Sequence, residues 1–163
     1  MRTSTLVMLL SLTAAPALAH TPRALPPVGE VNVSIGPELE AKAQSLGQSD
    51  LDRLAAELKR DVEQRLVRSG RFSQGGVRLN LQIVAAKPSH PTIAQAAPGL
   101  DTIRSRSLGG ATLRGEEVGP DGARQISFSL YENDIRNERY TSTWSDAERC
   151  FEAFARDYAE GRR

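Results

Sequence analysis

The chain has one cysteine, Cys150, in 163 residues. No internal disulfide can form, and the fold must stand on packing alone. Histidine is nearly as scarce, with only His20 and His90. Zinc sites take His/Cys pairs at helical or turn spacing, which one loop histidine and one cysteine do not supply, so no metal is expected. A charge excess is also missing, with 21 basic residues against 20 acidic ones. Nucleic-acid binders concentrate basic residues on one element, and no element here does so. Nor is there a long hydrophobic run: Leu6 to Leu10 is far shorter than the roughly 20 residues of a membrane-spanning helix. No glycine-rich phosphate loop or Walker pattern occurs, so no cofactor is expected.

What is present begins with Arg2, the apolar run Leu6-Val7-Met8-Leu9-Leu10 and the small residues Ala17-Leu18-Ala19. This is the layout of a secretory signal peptide, residues 1–19, cut after Ala19. A lipoprotein would need cysteine as the next residue, and His20 stands there, so the expectation is an exported, periplasmic protein without a lipid anchor. Three prolines between His20 and Gly29 oppose helix and sheet interior, giving a flexible leader over residues 20–29. Residues 30–163 have the length of one domain.

Within that domain Val31, Val33 and Ile35 alternate with polar residues as a first strand, ended by Gly36-Pro37. Helix formers run from Pro37 to Leu46 and stop at Gly47. Leu51, Leu54, Ala55, Leu58, Val62 and Leu66 then form the stripe of a longer helix, with Ser49 and Asp52 as a capping-box-like pair and Gly70 as its stop. The charges between them mix both signs, as on a solvated face. Val77 to Ala85 alternates over the longest strand so far, which belongs at the sheet centre.

A hairpin follows. Gly109 to Val118 and Ala123 to Tyr131 flank the turn Gly119-Pro120-Asp121-Gly122, and Ile126, Phe128 and Leu130 face one side. The last helix carries Ala147, Cys150, Phe151, Phe154, Ala155 and Tyr158 on one face, opened by the pair Thr143 and Asp146. On that face Cys150 reads as a small hydrophobe rather than a nucleophile. The fold class expected is α/β (α+β): a four-stranded, mainly antiparallel sheet, order β-α-β-β-β-α, with two to three helices on one face.

About twenty residues without periodicity, over 87–108, form the candidate functional loop. It holds His90, Asp101, Arg104 and Arg106, which with Trp144 are the candidate partner-binding residues. Trp144, at the first turn of the last helix, reads as a hydrophobic lid more readily than as a ligand platform. A serine hydrolase triad of His90, a loop serine (Ser89, Ser105 or Ser107) and Asp101 can be written down, but rests on residue types common to any loop. Of the paired carboxylates, adjacent Glu116 and Glu117 point to opposite faces of a strand, while Glu132 and Asp134 read as the solvated end of the hairpin. Gly109-Gly110 reads as the start of a strand where a side chain would clash.

The order strand, long helix, strand, long loop ending in Ser105-Arg106-Ser107-Leu108-Gly109-Gly110-Ala111, Pro-Asp-Gly hairpin and C-terminal helix resembles the small α/β domains of proteobacterial periplasmic proteins and outer-membrane lipoproteins, with the layout of the TolB amino-terminal domain. The resemblance implies a role in envelope assembly or transport support, and no chemistry. The function expected is therefore a non-enzymatic periplasmic module that binds another cell-envelope protein through the 87–108 loop and the hairpin's free edge. The alternatives are a small-ligand binder or carrier with that loop as lid and, more distantly, a hydrolase.

Overall fold

The structure, a computed structural model, describes residues 25–96, 107–134 and 142–162. Its elements are β1 (Val28–Ile35), the single turns α1 (Pro37–Glu40) and α2 (Ala43–Leu46), α3 (Gln48–Arg68), β2 (Val77–Lys87), a 3-10 turn (Ile93–Gln95), β3 (Gly110–Gly119), β4 (Gly122–Tyr131) and α4 (Ser145–Ala159). The strands lie in the order β1-β2-β3-β4. β1 and β2 are parallel, as their helical crossover requires, and the other two ladders are antiparallel. The expected class and element order are met, and β2 does sit inside the sheet.

The core lies between one sheet face and the two long helices. Leu51, Leu54, Leu58, Val62 and Leu66 of α3 meet Val31, Leu79, Leu81 and Ile83, while Phe151, Phe154 and Tyr158 of α4 cover Leu113, Ile126 and Phe128. Phe154 makes a tilted ring contact with Phe128 and a stacked one with Tyr158, each at 5.7 Å between centroids. The other face of the sheet is polar. There Asn32 donates to Asn80, Asn80 to Glu116, and Gln125 also to Glu116, a row crossing all four strands.

Several local expectations needed correction. The first strand starts at Val28, inside the expected leader, because Val28 exchanges both its backbone groups with Arg71 and Ser73. Residues 37–46 form two turns broken at Ala41-Lys42 rather than one helix. Neither capping box forms: the residue before α3 is Gly47 and the one before α4 is Trp144, and neither gives a side-chain cap. The capping box that does form, Thr92 with Gln95, lies in the long loop.

Candidate functional site

The two ends of the 87–108 loop are fastened to the start of α4. The Ser89 hydroxyl donates to Asp146 Oδ2 at 2.8 Å, and the Gly109 N–H reaches the same oxygen at 3.0 Å. Arg149 approaches the other carboxylate oxygen at 3.5 Å and also holds Glu132 at 2.9 Å. The Ser89 N–H donates to the Thr143 carbonyl, and the Ser107 N–H to the Ser89 carbonyl, each at 2.8 Å. A Cβ on Gly109 would stand 2.6 Å from Ser89 Oγ and 3.0 Å from Asp146 Oδ2. Glycine is therefore required there, as the sequence indicated for the start of this strand. Ser89 is wholly buried and its proton is committed to Asp146. It fastens the loop to the start of α4.

Thr92, buried within the loop, donates to the Ser45 carbonyl, while Ile93 beside it is 93% exposed. The near half of the loop is thus a held turn whose one large exposed aliphatic side chain is Ile93.

Of the residues proposed from sequence, His90 is half-buried in this held part of the loop. Asp101, Arg104 and Arg106 lie outside the described residues. Trp144 is completely buried, and its indole N–H has no partner among the described residues. It fits the lid reading, while its ring offers no surface to a partner. Glu116 and Glu117 do point to opposite faces. Glu132 lies past the end of β4 and caps the next turn by accepting the N–H groups of Asn133 and Asp134.

The hairpin's outer edge is the second feature. The Glu132 N–H donates to the Gly109 carbonyl, which sets the parity of the β3–β4 ladder. Even-numbered β4 residues bond to β3, and the backbone groups of Ala123, Gln125, Ser127, Ser129 and Tyr131 point away from the sheet. No described strand pairs with them. Edge strands are usually blunted by lysine, proline, a bulge, shortness or an inward-pointing charge, and β4 has the last of these in Arg124. β4 has ten residues, neither lysine nor proline, and an unbroken register, whereas the other two ladders each carry a shift. Leu130 and Tyr131 at its end are 39% and 41% exposed. The opposite edge differs, because β1 is closed at its start by the 71–73 turn.

The third feature is a cleft of about 460 Å³ at the tip of the hairpin, on the helix side, lined by Leu25, Pro26, Val77, Glu117, Pro120 and Arg124 among others. It stands at the far end of the sheet from the described ends of the 87–108 loop. Glu117 Oε2 accepts from both the Tyr158 hydroxyl and the Arg124 guanidinium at 2.7 Å. Burial pushes the Glu117 pKa upward, but the hydrogen bonds from Arg124 and Tyr158 outweigh it and leave it below the ordinary value. Tyr158 is pushed up by burial and by the Glu117 carboxylate, so its proton stays on the phenol.

This cluster was missed in the sequence, although a signal exists. In the inward row Ala111, Leu113, Gly115, Glu117 a carboxylate occupies a core position, and a tyrosine ending an apolar helix stripe needs a partner for its hydroxyl. Among the described residues no group of three metal-ligating side chains is present, and no helix is long and apolar enough to cross a membrane. No protein family, no curated protein and no solved structure matches this chain.

Proposed function

We propose that this chain is a non-enzymatic module of the bacterial periplasm that binds another cell-envelope protein, taking an extended segment of that partner along the outer edge of β4. The observation that carries the reading is the edge itself: ten residues in unbroken register whose outward backbone groups pair with no described strand, with no lysine, proline or bulge against pairing and a single inward charge, Arg124, near its start. In strand addition the backbone hydrogen bonds supply affinity and the flanking side chains choose the partner. Leu130 and Tyr131 are the large hydrophobic side chains that β4 exposes for that choice. The exported setting rests on the amino-terminal run Leu6 to Leu10 and on Ala17-Leu18-Ala19.

Proline at Ser127 or Ser129 tests the reading, because it removes an outward N–H while leaving the ladder to β3 intact. Each variant should stay folded and lose the protein that co-purifies from a periplasmic extract. Retention of that protein by both folded variants would refute binding at this edge. The exposed Ile93 and its capped turn offer an additional contact at the loop. Its replacement by serine should weaken capture without abolishing it.

A further inference from the structure

We propose that the cleft at the hairpin tip is a binding site for a small uncharged ring compound carrying one N–H or O–H donor, of the phenol or indole class. The argument starts from the division of labour on Glu117. Closing the end of α4 onto the hairpin needs one acceptor, and Oε2 supplies it to both Tyr158 and Arg124. Oε1 carries no hydrogen bond among the described residues, yet is not sealed from solvent. It belongs to a residue that lines the cleft. Because the neighbouring bonds keep Glu117 ionised, that oxygen can only accept. Whatever fills the cleft must donate to it.

Charge and shape narrow the class. Glu117 and Asp121 in the lining are balanced by Arg124 there and by Arg71, which lies over the Tyr158 ring at 5.1 Å. No net charge selects an ion. Leu25, Pro26, Val77 and Pro120 offer apolar walls against which a ring can lie. The walls are also fixed in advance. Arg71 donates to the Pro26 carbonyl at 3.1 Å, and the Val77 N–H to the Pro27 carbonyl at 2.9 Å. A pre-formed, mostly apolar cleft of this volume with a few placed polar groups is the usual form of a small-molecule site. The cleft lies on the helix side and shares with β4 only its first residues, Gly122 to Arg124.

Titration of the 15N-labelled protein with indole and with 1-methylindole, which differ in the one donor, tests the assignment. Indole should shift the amides of Gly119, Gly122 and Ala123 saturably and bind at least about tenfold more tightly than its methylated analogue, as befits a hydrogen bond to a charged acceptor. Leu25→Ala, outside every strand and helix, should weaken indole binding and leave the folded spectrum intact. Equal affinity for the two compounds would overturn the donor requirement. Shifts confined to another face, no saturable binding of either compound, or a folded Leu25→Ala variant that binds indole unchanged would overturn the site.

Discussion

Replacing Asp146 by alanine removes the acceptor on which the roots of the long loop converge. The carboxylate is 4% exposed and accepts from Ser89 Oγ at 2.8 Å and from Gly109 N at 3.0 Å. Hydrogen bonds to a charged group contribute about 1.5–3 kcal/mol each, and a buried donor left without a partner carries its full desolvation penalty. Two such donors are orphaned together, so the loss should be about 3–6 kcal/mol, a large share of the roughly 5–15 kcal/mol that stabilises a domain. The contact with Arg149, at 3.5 Å and with that arginine half exposed, adds little. Equilibrium urea unfolding followed by far-ultraviolet circular dichroism measures the loss. Asparagine keeps an oxygen for the same two donors, so Asp146→Asn should recover more than half of the stability lost in Asp146→Ala. An alanine variant within about 0.5 kcal/mol of the wild type, the scatter of ordinary surface substitutions, would show that this carboxylate does not fasten the loop.

Cys150 is wholly buried, and burial raises its pKa to about 11. Its reaction with a thiol reagent at neutral pH should therefore be slow in native buffer and fast in denaturant, as read by mass spectrometry. The hydrogen bonds from Arg124 and Tyr158 hold the folded-state pKa of Glu117 below the ordinary carboxylate value, so its contribution to stability is present above that ordinary value and is lost as pH falls through the folded pKa. The unfolding midpoint of Glu117→Gln should accordingly lie below that of the wild type at neutral pH, with the gap closing in acid; a gap that is constant with pH would contradict the assignment. Phe154 contacts both Phe128 and Tyr158, and its truncation to alanine should cost about 3–5 kcal/mol in the same urea experiment.

The fold was legible wherever periodicity was long. The stripes of α3 and α4 and the alternation of β2 and β4 place nearly every core residue, and the Pro-Asp-Gly turn fixes the hairpin, with Gly122 at φ +109°. Caps were read poorly, because Ser49 and Thr143 have the right spacing while the backbone at Gly47 and Trp144 leaves them outside the capping position. Asp146 looked like half of a cap, yet tertiary structure assigns it to Ser89 and Gly109, residues far away in sequence. The same limit hid the cleft. Glu117, Tyr158, Arg124 and Arg71 come from three separate regions of the chain, and only the β3–β4 register and the end of α4 bring them together. The free edge was foreseen as an edge, but its regularity depends on the ladder and could not be read from composition.

Amide hydrogen exchange along β4, followed residue by residue, tests the central claim most directly. In the free protein the outward N–H groups of Gln125, Ser127, Ser129 and Tyr131 should exchange fast, and those of Ile126, Phe128 and Leu130, bonded to β3, slowly. With the co-purifying envelope protein present, strand addition should slow the outward set by at least about tenfold and bring it level with the inward set. Outward amides that stay fast in the complex, with any new protection falling elsewhere, would contradict binding along this edge.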